Sequence, residues 1–223
     1  AGMKIARVGK EIEIMDKILI CAVERGEEVY IPSGDFRIEA GDIISFVASR
    51  LQAKAFLERI SFKTNQVKNC MIIGGGKAAY YLGKQLLNMG ISVKIIEDDR
   101  KRCEELSVLL PKAVIINGNG TDEELLKEEG IARVESFIPL TGIDEENIML
   151  TMYARQVSGA KVITKINRID FRGVINSLDL GSVIYPRYIT AEKIIAYVRA
   201  KKDSMDSNIE TLYHMFDSRV EAI

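Results

Sequence analysis

Over most of its length the chain alternates between short apolar runs and longer stretches in which apolar residues recur every three or four positions. The short runs predict strands near 70–73, 91–97, 113–117, 134–140, 161–166 and 182–185. The amphipathic stretches predict helices at about 77–89, 99–109, 121–129, 144–158, 168–178 and 189–201. In the first helix, Ala79, Leu82, Leu86 and Met89 recur on one apolar face, which we expect to be buried. Because strands that alternate with helices form parallel sheets, the pattern predicts an α/β fold with a doubly wound, Rossmann-type sheet.

The segment at 5–47 has a different pattern, in which short β-type runs are separated by turn residues. Strands are expected at 12–14, 28–31 and 43–47, followed by a short helix at 52–60 and a polar boundary at 61–69. We therefore predict three regions: a small α+β subdomain at 1–63, a Rossmann-type domain at 68–200, and the start of a further domain at 201–223. Since both ends are abrupt, we expect the chain to be an excerpt of a longer polypeptide.

Composition narrows the functional classes. The 31 basic and 32 acidic residues leave a formal net charge of −1, so overall charge gives no basis for binding nucleic acid or an anionic membrane. Apolar runs fall well short of the ~20 residues that cross a bilayer, and the N-terminus lacks the features of a secretory signal, which together predict a cytosolic protein. The widely spaced Cys21, Cys70 and Cys103 are expected to be reduced thiols. With His214 as the single histidine, the sequence offers little from which to build a transition-metal site.

A glycine turn joins the first strand of the α/β region to its helix. Residues 74–79 read Gly-Gly-Gly-Lys-Ala-Ala, which fits the form G-x-G-x-x-A that opens dinucleotide-binding domains. Gly74 permits the tight turn, and Gly76 lets the backbone approach a pyrophosphate closely. The N–H groups at the start of the helix, around Lys77 and Ala78, would receive the phosphates. Such turns also occur without a ligand, so the motif alone leaves both interpretations open.

An acidic residue stands where a nucleotide site needs one. Glu97 follows Gly74 by 23 residues, at the end of the second predicted strand, and is a candidate to accept the ribose hydroxyls. Asp98 is adjacent, and Arg100 is the basic residue best placed to reach a ligand. The alternatives are that the acids serve a helix N-terminus and that Arg100 belongs to a solvated helix face. A carboxylate at Glu97 would repel a 2′-phosphate, so NAD(H), ATP, ADP or AMP are favoured over NADP.

Further candidates follow the third, fourth and fifth strands. They are Asn119, Gly120, Thr141, Gly142 and Arg168. Because the carboxyl ends of parallel strands share one edge of the sheet, we expect these residues to line a common crevice. Helix capping by Thr121 and ordinary surface exposure of Lys165 and Arg168 are the alternatives. No nucleophile with a neighbouring base and no carboxylate pair indicates catalysis.

Several of these motifs together resemble the TrkA family of potassium-transport regulators, whose domains are called RCK or KTN domains. The matching motifs are IIGGG at 72–76, VKIIE at 93–97, GNGTD at 118–122, LTGIDEEN at 140–147, KINR at 165–168 and VIYPR at 183–187. The likeness covers about 68–200 closely, and the preceding segment, notably 26–35 and 41–44, resembles the small C-terminal RCK subdomain. In a tandem protein such a subdomain precedes the second Rossmann domain, which would explain both abrupt ends.

The resemblance implies a nucleotide-gated regulatory subunit. Such a subunit is cytosolic, lies at the inner face of the cell membrane, assembles as a homo-oligomeric ring on a membrane potassium transporter, and gates it according to bound NAD(H) or adenine nucleotide. Family positions for nucleotide binding carry over to Gly74, Gly76, Glu97, Asn119, Gly120 and Thr141, and the resemblance also points to Lys77, Arg100 and Arg168. Family members often have Asp where this chain has Asn119. Exposed apolar residues of the last helix, Ile194, Ile195 and Val198, could pair subunits, with core packing as the alternative.

Two other functions compete with this interpretation. A nicotinamide-dependent dehydrogenase would share the glycine turn and the acid, but it needs a substrate domain and a proton donor, and neither is evident in the sequence. A nucleotide-sensing repressor would need a basic winged-helix region, whereas the leading segment is β-rich and not notably basic. The sequence therefore favours a regulator with no catalytic residues.

Overall fold

The computed structural model describes residues 2–11, 18–26, 28–62, 66–168, 172–203, 213–215 and 220–222. Contacts divide the chain into two units. One comprises Ala1–Asn65 with Ile194–Ile223, and the other comprises Gln66–Lys193. The predicted domain limits at 63, 68 and 200 stay predictions. Among the described helices, none is both long enough and apolar enough to cross a membrane.

A six-stranded parallel sheet forms the centre of the larger unit, and its strand order is β6-β5-β4-β7-β8-β9. The strands are β4 (Asn69–Ile73), β5 (Ser92–Glu97), β6 (Val114–Asn117), β7 (Ser136–Pro139), β8 (Lys161–Lys165) and β9 (Ser182–Ile184). The chain starts at the middle of the sheet, winds out to β6, and returns to β7 on the other side of β4. This is the doubly wound Rossmann order, and it confirms the predicted fold class and all six predicted strands.

Helices connect these strands. They are α3 (Lys77–Asn88), α4 (Arg100–Leu109), α5 (Glu123–Glu128), α6 (Asp144–Val157), α7 (Arg172–Ser177) and α8 (Pro186–Asp203), with a 3-10 turn at Ile131–Arg133. Helix α8 begins three residues earlier than predicted, because Pro186 is well suited to a first helical position, where no N–H is needed. Met89 was predicted to be buried on the first helix, and this is wrong: it is the C-terminal cap of α3 and is 67% exposed.

The core lies on both faces of the sheet. Along β4, Met71 and Ile73 join one buried cluster, whereas Cys70 and Ile72 join the other. Because successive strand residues point to opposite faces, this continuous apolar run fits a strand that is covered on both sides. Such burial holds the loops that follow the strands in fixed positions. Cys21, Cys70 and Cys103 are not paired with one another.

The smaller unit contains an antiparallel sheet of order β2-β1-β3. Its elements are α1 (Ile5–Glu11), β1 (Leu19–Arg25), β2 (Glu28–Tyr30), β3 (Ile43–Val47), α2 (Arg50–Arg59), β10 (Tyr213–Met215) and β11 (Val220–Ala222), the last two paired as an antiparallel ladder. Sequence patterns predicted β2, β3 and α2 but missed α1 and β1. The strand predicted at 12–14 lies outside the described residues.

A half-buried ion pair stabilises this small sheet. Arg25 donates from Nε to Oδ1 of Asp42 at 2.7 Å and from Nη2 to Oδ2 at 2.8 Å, while its guanidinium lies 5.3 Å from the ring centroid of Phe36. The hydrogen bond from Arg25, with a second from the Glu39 N–H, lowers the pKa of Asp42 to about 2. The pair therefore joins the end of β1 to the turn that precedes β3.

Candidate functional site

A cavity of about 560 Å³ opens at the carboxyl ends of the parallel strands. It lies where the strand order reverses at β4, which is the position at which doubly wound sheets bind ligands. Its wall consists of residues 73–76, 96–98, 119–121 and 140–143, together with Glu146 and Lys165. The loops after β4, β5, β6, β7 and β8 therefore contribute to a single site.

Gly74 makes the turn after β4 possible for two reasons. Its φ of +93° is in the region that favours glycine, and an added Cβ would lie 3.2 Å from backbone atoms of Leu140 and Thr141. The Leu140 N–H in turn donates to the Ile73 carbonyl at 2.7 Å. A side chain at this position would push the loops after β4 and β7 apart, so glycine is required for the closed floor of the cavity.

Gly76 has a different role. It is the N-cap of α3, with φ of −63°, and beyond its two chain neighbours an added Cβ would meet none of the described atoms within 4 Å. It has no side chain with which to cap the helix, and the first main-chain bond of the helix runs from the Tyr80 N–H to the Gly76 carbonyl. The N–H groups of Lys77 and Ala78 are therefore free to bind an anion at the positive end of the helix. This open cradle fits a nucleotide phosphate.

Glu97 ends β5 beside the glycine turn. Its carboxylate accepts hydrogen bonds from the Gly75 N–H and, at 2.9 Å, from the Asp99 N–H. The residue is half-buried and lines the cavity with Asp98. The carboxylate thus touches the phosphate cradle on one side and the start of α4 on the other. Its remaining lone pairs could accept hydrogen bonds from ribose hydroxyls.

The loop after β6 brings Asn119 and Gly120 to the wall. Asn119 Oδ1 accepts from the Thr121 N–H at 2.9 Å and from Thr121 Oγ1 at 2.8 Å, which fixes the turn. At Gly120 an added Cβ would lie 2.2 Å from Ile73 Cγ2, so the loop packs directly on the end of β4. Asp122, rather than Thr121, caps α5 through the N–H groups of the first turn.

A buried amide holds the opposite wall. Asn147 is fully buried on α6, where its Oδ1 accepts from the N–H and from Oγ1 of Thr141, each at 3.0 Å. Its Nδ2 donates to the Lys165 carbonyl at 3.0 Å and to the Thr141 carbonyl at 3.3 Å. The amide therefore joins the loop after β7 to the end of β8. Sequence reasoning did not single out Asn147.

Lys165 ends β8 and Arg168 follows it by three residues, and only one of these two basic residues lines the cavity. Lys165 does so, with its Nζ donating to the Leu140 carbonyl at 3.1 Å. Burial lowers its pKa, and the negative charge of Asp144 partly offsets this. Arg168 instead pairs with Glu145 and lies 3.7 Å from Asp144.

Asp144 is buried at the first position of α6. It accepts at 2.9 Å from the N–H and Nδ2 of Asn167 and from the Arg168 N–H. Burial would raise the pKa of Asp144, but these hydrogen bonds outweigh it, so the pKa lies below its ordinary value. Asp144 therefore holds the loop after β8 against the start of α6.

The structure brings most of the candidate residues together. Those that line the cavity are Gly74, Gly76, Glu97, Asp98, Asn119, Gly120, Thr141 and Gly142. Lys77 and Ala78 lie in the exposed first turn of α3, and Arg100 is 84% exposed and paired with Glu104. Ile143 and Glu146 also line the wall, although sequence reasoning did not propose them. The spacing could have indicated this role for Glu146, because residues three apart at the start of a helix lie on the same face and Ile143 borders the candidate Gly142.

Family models match both units. A model described as the TrkA-N domain matches residues 70–186, and one described as the TrkA-C domain matches residues 2–61. The Trk system potassium uptake protein TrkA of Haemophilus influenzae is 32% identical over 204 residues, which cover 92% of this chain and 44% of the relative. TrkA homolog 2 of Methanosarcina mazei is 31% identical over 221 residues, which cover 97% and 48%. The chain spans about half the length of the curated relatives it matches.

Solved structures share the fold. The GsuK RCK domain superposes with a TM-score of 0.64 at 18% identity, over 96% of this chain and 45% of that one. The GsuK channel bound to NAD superposes with a TM-score of 0.63 at 19% identity, over 96% of this chain and 37% of that one. The TrkA-N domain of the Escherichia coli inner membrane protein ybaL superposes with a TM-score of 0.54 at 19% identity, over 60% of this chain and 99% of that one. At these identities the likeness establishes the fold alone.

Proposed function

The chain belongs to the TrkA family, with a TrkA-C domain followed by a TrkA-N domain, and on that premise we propose that it is a nucleotide-binding regulatory module of a potassium uptake protein. The observation that carries the proposal is the pairing of an uncapped glycine cradle at Gly76 with the carboxylate of Glu97 in one cavity. The order of the two domains fits a tandem protein in which TrkA-N and TrkA-C domains alternate.

The effector is NAD(H) or an adenine nucleotide (ATP, ADP or AMP). The cradle would hold its phosphates, and Glu97 would accept the hydroxyls of an unmodified ribose. Two adjacent carboxylates, Glu97 and Asp98, disfavour the 2′-phosphate of NADP by repulsion. Lys165 on the far wall supplies a compensating positive charge to an anionic ligand. Thr141 and Gly142 would contact the part of the ligand beyond the phosphates.

The partner is a membrane potassium transporter or channel. A homo-oligomer of the full-length protein would lie at the cytoplasmic face of the membrane and change the transporter's activity when nucleotide binds. A nucleotide can shift this equilibrium only as far as it binds one arrangement more tightly than the other. Exposed apolar residues on α8, such as Ile194, Ile195 and Val198, support a role of this helix in subunit pairing. No observation favours the dehydrogenase alternative, since the curated relatives are named as potassium uptake proteins.

Calorimetric titration with NAD⁺, NADH, ATP, ADP, AMP and NADP⁺ tests the binding proposal. We expect saturable binding of at least one unphosphorylated-ribose nucleotide and weaker binding of NADP⁺. Glu97→Gln should weaken the binding of that nucleotide about tenfold, as expected for loss of a hydrogen bond to a charged group. Glu104→Gln is the matched control, because this carboxylate is 68% exposed on α4 outside the cavity. Equal affinity of wild type and Glu97→Gln would contradict the assigned role of Glu97.

Potassium flux tests the regulatory proposal. The full-length protein and its membrane subunit would be reconstituted in vesicles, and rubidium uptake would be measured with and without the nucleotide that binds most tightly. The proposal predicts a change in uptake that is lost with Glu97→Gln. Uptake that is the same with and without nucleotide, at saturating concentration, would contradict it.

A further inference from the structure

Arg102 contacts the glycine turn from outside the cavity. Its Nε donates to the Gly75 carbonyl at 2.7 Å, and its Nη1 donates to Glu105 at 2.7 Å. The side chain is only 24% exposed, although it lies in a run of basic residues that looks like a solvated helix face. The sequence favoured Arg100 as the residue that reaches a ligand, whereas in the structure Arg102 reaches the turn that would hold the ligand.

Helix α4 supports the turn with a second residue on the same face. An added Cβ at Gly75 would lie 2.6 Å from Leu106 Cδ1, one helical turn after Arg102. The Gly75 N–H is held by the Glu97 carboxylate. Gly75 is thus fixed at its N–H, at its Cα and at its carbonyl, and Arg102 is the group that fixes the carbonyl.

The direction of this carbonyl determines the direction of the next N–H. The described peptide bonds are all trans, and in a trans peptide the carbonyl and the following N–H point in opposite directions. Because the Gly75 carbonyl points to Arg102 on α4, the Gly76 N–H points away from α4. No acceptor for the Gly76 N–H is found among the described residues, and an added Cβ at Gly76 would meet no atom within 4 Å.

We propose that Arg102 is a positioning residue that sets the peptide between Gly75 and Gly76 so that the Gly76 N–H points at a ligand phosphate. This inference rests on the proposed nucleotide site and assigns a new residue to it. Without Arg102 the peptide could rotate and point its carbonyl oxygen toward the phosphate, which would replace a hydrogen bond with repulsion. Arg102 touches no ligand in this account, so its effect is confined to ligands that carry a phosphate at this position.

The test compares ADP with adenosine in calorimetric titrations of the chain. Arg102→Met should weaken the affinity for ADP about tenfold, the value for loss of one hydrogen bond to a charged group. The affinity for adenosine should stay within about twofold of the wild-type value. Arg102→Lys should restore most of the ADP affinity, since an ammonium can still donate to the Gly75 carbonyl. Lys101→Met is the matched control, because it makes the same change of charge and removes an exposed neighbouring side chain.

The possible outcomes separate the two proposals. If wild type binds ADP no more tightly than adenosine, or binds neither, the nucleotide site itself is wrong and the role of Arg102 falls with it. If wild type prefers ADP and Arg102→Met keeps the full preference, only the positioning role is overturned. A loss of ADP and adenosine binding in equal proportion would also overturn it, since this indicates general damage to the turn. A selective loss of ADP binding with rescue by lysine supports it.

Discussion

Replacing Gly76 with alanine should separate ligand binding from folding. The backbone at Gly76 has φ of −63° and ψ of −174°, a conformation that alanine adopts without strain. Apart from its chain neighbours, the added methyl group would meet no atom of the part of the chain that the structure describes within 4 Å. A compatible glycine-to-alanine change stabilises a protein by about 0.4–1 kcal/mol, because it restricts the unfolded chain. For a chain of this length that corresponds to a rise in Tm of roughly 1–3 °C.

The same methyl group should weaken nucleotide binding. It would project into the space where a phosphate must approach the main-chain N–H groups at the start of α3. Loss of one or more hydrogen bonds to a charged phosphate costs about 1.5–3 kcal/mol, or roughly 10- to 150-fold in Kd. The expected result is therefore a variant that is as stable as wild type or more so, yet binds nucleotide at least tenfold more weakly.

Thermal unfolding and calorimetric titration of the same samples would check both parts. Gly159→Ala is the matched control: it is exposed, an added Cβ there also meets no atom within 4 Å, and it lies outside the cavity wall. It should bind as wild type does. Gly74→Ala should instead destabilise the fold, because of its positive φ and the nearby backbone of Leu140. Wild-type affinity in Gly76→Ala would refute the phosphate cradle, and a marked fall in Tm would refute the assigned backbone geometry.

Two further predictions concern stability. Asp144→Asn should lower the unfolding free energy by about 2–3 kcal/mol, because an amide group would replace a carboxylate that accepts hydrogen bonds from Asn167 and Arg168. Urea unfolding would measure this loss, with Glu145→Gln, an exposed position, as a control expected to stay within about 0.5 kcal/mol of wild type. Equal losses of stability in the two variants would contradict the prediction. Asp42 has a pKa of about 2, below its ordinary 3.8, so its contribution to the small unit is complete above pH 3.8 and is lost as the pH falls toward 2. A carboxyl titration by NMR should give this low pKa in wild type and a higher value in Arg25→Met, where only the Glu39 N–H still lowers it. An ordinary value in wild type would exclude the ion pair.

The sequence was most informative where one local pattern determined the structure. Continuous apolar runs such as 70–73 fit a strand covered on both faces, and their alternation with amphipathic stretches is typical of a doubly wound sheet. In the small unit the signal was weaker. Strand β1 contains Glu24 and Arg25 at its end, so its pattern does not alternate cleanly, and the helix α1 is too short to show a clear period.

Side-chain direction could not be predicted from spacing along the chain. Arg100 and Arg102 are two positions apart on α4 and therefore face different sides, but only the packing of that helix under the glycine turn decides which one points inward. The same holds for Lys165 at the end of β8 and Arg168 in the loop that follows, where the arginine pairs with Asp144 and Glu145 on α6 instead of lining the cavity. The roles of Asn147 and Glu146 likewise depend on contacts between elements distant along the chain.

A ¹H–¹⁵N correlation spectrum recorded during titration with NAD⁺ tests most directly whether a nucleotide occupies the cavity. The proposed site predicts saturable shifts concentrated in residues 74–78, 97–99, 119–121 and 141–143, with a large change at the Gly76 amide as it donates to a phosphate. Adenosine should shift the amides near Glu97 but not that of Gly76. If neither NAD⁺ nor any adenine nucleotide shifts these amides, or if the shifts fall on other surfaces of the chain, the assignment of this cavity as an effector site is contradicted.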